Sequence, residues 1–423
     1  YVYIRDFMQM EYKHGEVTPY VAFSDEPVSA YASPCYGAAA LHEITPYAPV
    51  IVNGYDGDHL TVDIEGQTLY VEAGELTILG EDFTVAPFEA KTSEKAVLYE
   101  YPLENALQLA DIKKNAPLTV TAFHGVYARV TDGEHEGYLH YDKLKSTNST
   151  KAALAELQKH MERIEAQRFL NVALTMMDES NPVLLAYNEN CGGSVSARFK
   201  YGCPYLFAGS NESSLLRPRY ASQDSHYYST SKLYLGGFDC IGFARWVHNQ
   251  VGMKKLPAIS ETRNAAKPNR IDMQDLPSAQ WAQRMKVGDS INLAGQGGGY
   301  HVMIYIGTLR DFGFTAEQVG EQLAPYLDNP LTIHCGMNNY HTAWYTQYLK
   351  DENLTSVTPP DGGVTISILG IPYDSVPNTE TMWKGTSNVK TFYWFDLLGY
   401  NLTVINPDGD GFRWYSVYRN TEK

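Results

Sequence analysis

The sequence predicts an α+β chain in which two small all-β modules precede a larger domain built from a helix lying on an antiparallel sheet. Three observations carry that prediction. A β-patterned stretch recurs at a spacing of 117 − 49 = 68 residues, counted from Pro49 to Pro117. A helix-forming stretch rich in Ala, Leu, Glu, Gln and Arg follows from Lys151 to Met177. Beyond it, two glycines break the chain ahead of Phe238-Asp239-Cys240, and the strand patterns further on carry His301 and His334.

Composition narrows the function classes. At 423 residues the chain exceeds one ordinary core and implies about two to four domains. It is 44% hydrophobic yet holds no apolar run long enough to cross a bilayer, so no membrane span is expected. A net charge of −16 argues against nucleic acid and anionic membrane as partners, because both are polyanions. The five cysteines (Cys35, Cys191, Cys203, Cys240, Cys335) are odd in number and lack C-x-x-C spacing. That excludes a disulfide-dense scaffold, argues against structural zinc, and leaves at least one thiol unpaired in a monomer, the state expected here. No cofactor or metal is expected. Thirty-two tyrosines supply flat contact area with a polar tip, as carbohydrate-facing and cell-surface proteins do, and as tyrosine-rich β-domains do also.

Residues 1 to about 27 show no clear period and carry scattered aromatics that suit packing on a neighbouring domain. From Val28 short strands alternate with turns. Pro49 to Val52 leads into Asn53-Gly54; the alternating run Leu60 to Ile64 and the turn Glu65-Gly66 follow, then Thr68 to Val71. The order repeats from Ala116 to Val120, through Phe123 to Val130 and the turn Asp132-Gly133, to Gly137-Tyr138-Leu139. Two domains are therefore expected at 1–90, including the N-terminal extension, and 91–147. A helical connector at 148–177 carries an apolar stripe of Leu154, Leu157, Met161, Ile164 and Phe169. The remainder, 178–423, forms the main domain, with insertions near 210–235 and 308–330 and a β-rich C-terminal extension that no sequence break sets apart.

In that domain Asp239-Cys240 opens a helix whose Ile241, Ala244, Val247 and His248 share a face, with Gly252 as the stop. The Cys240 sulfur then sits at a helix N-terminus, where free N–H groups and the macrodipole favour a thiolate. By itself a cysteine there is more often a small buried hydrophobe capping a core helix. A thiol nucleophile needs a base, and the base needs an orienting group. His301 heads the strand His301 to Gly307, where it shares a face with Met303 and Tyr305; His334 shares a face with Thr332 on a later strand. His341 and Asn338 lie close enough in sequence to replace His334 as the orienting group. A zinc site of Cys240, His301 and His334 is disfavoured by the single helix-borne thiol. Cys335 is expected to face away from His334, and His124 and His140 to lie at the surface.

These residues resemble the NlpC cell-wall endopeptidases, papain-like enzymes that cut peptidoglycan stem peptides. Gly202-Cys203-Pro204-Tyr205-x-x-x-Gly209 is similar to that family's G-x-P-Y-x-x-G-G loop, and Phe238-Asp239-Cys240-Ile241-Gly242-Phe243 to its F-D-C-S-G-F motif. Val287-Gly288-Asp289 resembles its P-G-D turn, His301 to Gly307 its H-V-G-I-Y-I-G strand, and Ile333-His334-Cys335 its I-H-A. The N-terminal repeats resemble the bacterial SH3-like barrels that accompany such enzymes. The resemblance implies a papain-like catalytic domain with Cys240 as nucleophile, His301 as general base and His334 orienting it. Tyr205 would help place substrate or oxyanion, unless it is a core tyrosine. Asp239 would grip the free amine of an N-terminal L-alanine, unless it is an N-cap alone, and an SH3-like domain would close one end of the cleft. It also implies a secreted or surface-attached bacterial protein, its signal segment removed, that cuts the γ-D-glutamyl–diamino acid bond of peptidoglycan or its fragments. Two rivals share this sequence: a non-catalytic wall-binding protein, and an amidase or acyltransferase using the same thiol. Ile241 in place of serine, Ala208 in place of glycine, and the two insertions depart from the family pattern.

Overall fold

The computed structural model describes residues 14–35, 37–177, 201–210, 219–220, 233–234, 236–254, 256–257, 269–273, 275–294, 300–337, 341–372, 375, 396–397, 400–408 and 414–420. The part of the N-terminal extension before His14, Cys191, the Gly295–Gly299 cluster and Asn338 lie outside these residues. The chain forms two compact units that divide between Glu162 and Arg163.

The first unit holds two sheets of the same plan. Strands β1 (His14–Phe23), β2 (Val28–Tyr31), β3 (Ala40–Ile44), β4 (Val50–Asp56), β5 (His59–Ile64), β6 (Gln67–Glu72) and β7 (Thr77–Ile78) pair in the order β3-β2-β6-β5-β4-β1-β7. Strands β8 (Phe83–Lys91), β9 (Ala96–Tyr99), β10 (Gln108–Ile112), β11 (Pro117–His124), β12 (Tyr127–Thr131) and β13 (Glu136–His140) pair in the order β10-β9-β13-β12-β11-β8. The same offset of 117 − 49 = 68 relates β2 to β9 and β3 to β10. It also relates the register shift between Val52 and Gly54 in the β4–β5 ladder to that between Val120 and Ala122 in β11–β12. Val52, Val62 and Val71 are fully buried in the first core, and Val120, Val130 and Leu139 in the second. This is what period-two alternation with one wet face requires. Three details depart from the sequence expectation. His14–Phe23, expected as part of an extension without a clear period, is β1 and pairs with β4 and β7 inside the first sheet. Strand β8 crosses position 90 and pairs within the second sheet, so the second module begins at Phe83. Both sheets have an open strand order, and among the described residues no pairing closes either into a barrel.

Helix α1 (Asn148–Leu174) starts in the polar stretch before it, where Thr147 Oγ1 accepts from the Thr150 N–H at 3.2 Å, a side-chain N-cap. Ala153 and Leu157 enter the core of the second sheet, whereas Phe169 and Ala173 enter the core of the larger unit. Met161 and Ile164 of the expected stripe are exposed, because the middle turns of the helix meet neither core.

The second unit is organised on an eight-stranded sheet. Its strands are β16 (Arg270–Ile271), β17 (Ser290–Ala294), β18 (Tyr300–Thr308), β19 (Pro330–Met337), β21 (Gly362–Leu369), β22 (Asp396–Leu397), β23 (Tyr400–Ile405) and β24 (Trp414–Tyr418). They are ordered β16-β24-β17-β18-β19-β21-β23-β22. All ladders are antiparallel except β21–β23. The last strands are therefore interior parts of the sheet: β24 lies beside β17, and β23 beside β21. A small sheet of β14 (Arg219–Tyr220), β15 (Leu233–Tyr234) and β20 (Val357–Thr358) lies apart. One face of the large sheet receives α2 (Cys240–Gln250) through Phe243, Ala244 and Val247, packed with Val302, Ile304, Ile333, Val364 and others. The buried surface of α2 is wider than the expected stripe, since Phe243 and Trp246 are buried too. Each such side chain stabilises by about 1.5–3 kcal/mol relative to exposure. The opposite face is covered by Trp281, with Met303, Tyr305 and Leu369 in the same cluster. Helices α3 (Ala316–Leu323) and α4 (His341–Asp351) flank β19 in sequence.

The Val287-Gly288-Asp289 turn proves structural. Asp289 is buried, accepts from the Lys286 N–H at 2.8 Å and pairs with Arg419 at 2.6 Å, tying the turn to the chain beyond β24. His248 of α2 places Nδ1 2.8 Å from Ala244 O and Nε2 3.2 Å from Gly288 O, anchoring the helix to the same turn.

Candidate active site

Cys240 is the first residue of α2, and Asp239 is its N-cap, with Oδ1 accepting from the Gly242 N–H at 2.7 Å. The helix ends at Gln250 with Val251 as its C-cap, and Gly252 just beyond takes φ +77°. The start is locked by the loop 202–209. Phe238 N–H donates to Pro204 O at 3.2 Å, Leu206 N–H to Phe238 O at 2.9 Å, and Asp239 N–H to Gly209 O at 3.0 Å. Tyr205 N–H donates to Gly362 O at 2.8 Å, so the loop also reaches β21. Glycine is demanded here by proximity: a Cβ on Gly242 would lie 2.0 Å from Gly209 O, and one on Gly237 would lie 2.1 Å from Pro204 O. The G-x-P-Y-x-x-x-G and G-F-D-C-x-G motifs are thus two halves of one interlock. Ala208, standing where the family pattern has glycine, adopts φ +60°. That left-handed conformation costs an L-residue about 1–2 kcal/mol.

The thiol lies against the backbone that carries His301. Its Sγ is 4.0 Å from Tyr300 O, and the N–H groups of Val302, Ile241 and Cys240 lean on the sulfur and draw its pKa down. Burial acts the other way and wins, with Asp239 adding to it, so the thiol is pushed up to about 12. His301 is pushed down to about 4 by burial. The expectation of a resting thiolate is therefore corrected: helix-end N–H groups favour the anion, but Cys240 is only 8% exposed and desolvation outweighs them. At rest the Cys240 thiol and the His301 imidazole are both neutral.

The two strand-borne histidines meet. His301 Nε2 and His334 Nδ1 are 2.9 Å apart, with their rings nearly perpendicular. His334 Nε2 is 2.8 Å from Ser367 Oγ, and Ser367 Oγ in turn hydrogen-bonds Thr403 Oγ1. His341 is elsewhere: its Nε2 lies 2.9 Å from Tyr201 O, and burial lowers its pKa to about 3. Cys335 points to the other face of β19, buried, with its thiol donating to Phe238 O at 3.1 Å. Tyr205 is 7% exposed and belongs to the core cluster under α2. His124 lies 3.3 Å from Asp82, and His140 lies 2.7 Å from Asp142. Among the described residues no group of three His, Cys, Asp or Glu side chains could hold a metal ion.

Sequence reasoning missed Ser367 and Thr403. The available signal was Thr365 and Ser367 alternating with Val364, Ile366 and Ile368. By period that alternation reads as one apolar and one wet face, but the sheet buries Thr365 and Ser367, and their hydroxyls then need partners inside the protein.

A helix-borne thiol on an antiparallel sheet, with two hydrogen-bonded histidines on neighbouring strands, defines the papain-like class. Residues 202–350 match the sequence model of the NlpC/P60 family, so the chain carries an NlpC/P60-type domain. Among solved structures the chain is similar to NlpC2 from Trichomonas vaginalis, at 15% identity over 76% of this chain and 89% of that one, with a TM-score of 0.21. It is also similar to an NlpC/P60 family protein from Bacillus cereus, at 14% identity over 85% of this chain and 95% of that one, with a TM-score of 0.19. At such scores these likenesses carry no argument about activity. No curated protein matches the chain.

Proposed function

We propose that this protein is a cysteine endopeptidase acting on peptidoglycan stem peptides, at the γ-D-glutamyl–diamino acid bond. The observation that carries the reading is the 2.9 Å His301–His334 pair, on a strand whose backbone at 300 and 302 lies against the Cys240 sulfur. With Nε2 of His301 engaged by His334, Nδ1 is the nitrogen left to take the thiol proton. Proton transfer and attack then proceed together, because neither charged partner is stable alone in the buried site. The sulfur adds to the carbonyl carbon, backbone N–H groups at the helix start hold the oxyanion, and the proton on His301 leaves with the amine. Water, deprotonated by His301, hydrolyses the thioester and regenerates the thiol.

The two β-modules serve, in this reading, as SH3-like wall-binding domains of a bacterial protein working outside the cytoplasm. Their shared strand order and their 68-residue (117 − 49) offset support duplication of one binding unit. Asp239 Oδ1 caps α2, and in this reading the same carboxylate, next in sequence to the thiol, meets a substrate ammonium.

The test is mass spectrometry of the full chain incubated with L-Ala-γ-D-Glu-diaminopimelate. L-Ala-D-Glu and free diaminopimelate should appear, and Cys240→Ala should abolish them without changing the circular dichroism spectrum. An intact peptide with the wild-type protein would sink the reading in favour of a wall-binding role.

A further inference from the structure

The polar row behind His301 crosses four neighbouring strands. His301 is on β18, His334 on β19, Ser367 on β21 and Thr403 on β23, and these strands are consecutive in the sheet. His334, Ser367 and Thr403 are all buried, at 5%, 0% and 2% exposure, and their side chains bond one another. The contacts run His301 Nε2–His334 Nδ1 at 2.9 Å, His334 Nε2–Ser367 Oγ at 2.8 Å, then Ser367 Oγ–Thr403 Oγ1. The row ends where Thr403 Oγ1 lies 3.2 Å from the carbonyl oxygen of Ile366.

That last contact sets the direction of every proton in the row. A carbonyl only accepts, so the Thr403 hydroxyl donates to Ile366 O. Thr403 Oγ1 then accepts from the Ser367 hydroxyl, and Ser367 Oγ accepts from His334 Nε2–H. A neutral His334 protonated on Nε2 has a bare Nδ1, which accepts from His301 Nε2–H. His301, protonated on Nε2, is left with Nδ1 bare. Reversing the row would put the proton on His301 Nδ1, so that this imidazole nitrogen could no longer take a proton, and would leave Ile366 O without the Thr403 donor.

We infer that Ser367 and Thr403 are positioning residues: through His334 they select the tautomer of His301 that can accept a proton from Cys240. Both lie beyond the 202–350 segment that matches the family. Their role rests on His301 being the base of the proposed reaction. No proton travels along the row. When Nδ1 of His301 takes the proton from Sγ, Nε2–H stays in place, and the lone pair of His334 Nδ1 faces the imidazolium. Burial holds both histidines neutral at rest, so tautomer rather than charge is the variable to be set.

The experiment uses the full chain labelled with ¹⁵N-histidine, wild type and the variants Thr403→Val, Thr403→Ser and Ser367→Ala, with peptide kinetics on the same samples. Imidazole ¹⁵N shifts report the tautomers directly. His301 and His334 should both be Nε2–H in the wild type and in Thr403→Ser. Thr403→Val and Ser367→Ala should lose that uniformity at His334, and kcat should fall roughly tenfold with KM unchanged, a free-energy bias of the size one buried hydrogen bond supplies. Thr403→Ser should restore kcat. A wild-type His334 protonated on Nδ1 would overturn the inference. So would unchanged tautomers and unchanged kcat in both Thr403→Val and Ser367→Ala. If one of those two fails to fold, the other decides. A wild-type chain that leaves the peptide intact defeats the proposed reaction, while the ¹⁵N shifts still judge the row.

Discussion

Gly242→Ala sets two effects of opposite sign against each other. Alanine in a helix is favoured over glycine by about 1 kcal/mol, so propensity alone predicts stabilisation. The contact predicts the reverse. The new Cβ would stand 2.0 Å from Gly209 O and 3.0 Å from Asp239 Oδ1, whereas ordinary contact begins at 3.4 Å. The Gly209 carbonyl must retreat by about 3.4 − 2.0 = 1.4 Å, which breaks its 3.0 Å bond from Asp239 N–H. Overpacking of this kind costs about 1–3 kcal/mol, and the lost hydrogen bond about 0.5–1.5. The contact therefore wins by about 0.5–3.5 kcal/mol. The same shift moves the helix start that carries Cys240, and a displacement near 1 Å lowers turnover by about 10²-fold. Urea unfolding should show a lower midpoint at unchanged slope, and peptide cleavage a drop in kcat/KM. A midpoint equal to or above wild type, with full activity, would show that the interlock has slack and that the reasoning from Gly209 O is wrong.

Other consequences follow from the same geometry. With His301 held at about 4 by burial, the base stays unprotonated well below the ordinary imidazole range. The acid limb of kcat/KM should therefore fall clearly below pH 6.5, and a limb at 6.5 would contradict a buried base. His301, His334 and His341 all have depressed folded-state pKa values, so the unfolded chain binds more protons than the fold below about 6.5. Their contribution is complete above that pH and is lost as pH falls toward 4. Urea midpoints at pH 5 should lie below those at pH 7.5, with His341→Gln flattening the difference; an undiminished difference counts against His341. Ala208→Gly should relieve the φ +60° strain and raise stability by about 0.5–1 kcal/mol after glycine's own entropic cost, and a lower melting temperature would contradict it. Asp239→Asn should keep the cap of α2 and unfold within about 0.5 kcal/mol of wild type, whereas Asp239→Ala should lose about 1 kcal/mol. If the Asp239 charge also grips a substrate ammonium, only the wild type should prefer the free peptide over its N-acetylated form, and equal rates would leave Asp239 as a cap alone.

Local patterns carried a good part of this fold because each is a short-range physical requirement. Alternating apolar residues and Gly-containing turns announced the two β-modules. Phe238-Asp239-Cys240 followed by an apolar helical stripe announced the start of α2, and Gly252 its end to within two residues. The parity of Thr332 and His334, and of His301 and Met303, announced which side chains share a face. The start of the second module was less legible, since Phe83–Lys91 pairs with a strand further along and nothing within it says so. The stripe through Met161 and Ile164 misled, because a 3.6-residue period marks a face without saying that anything covers it.

By itself the sequence determined the composition of the site: one thiol at a helix start, two histidines on later strands, and glycines where backbone must approach backbone. What only the tertiary structure decided was how those groups balance. The helix end draws the thiol toward the anion, but the depth of burial, a sum over the whole core, reverses the outcome. His334 was separated from its rival His341 by sheet register, and His341 went to the Tyr201 carbonyl instead. Ser367 and Thr403 entered the site because β23 lies beside β21 in parallel, a long-range pairing between segments with no local signature. Hydrogen-bond direction along that row begins at a backbone carbonyl, and a carbonyl's neighbours exist only once the sheet has formed.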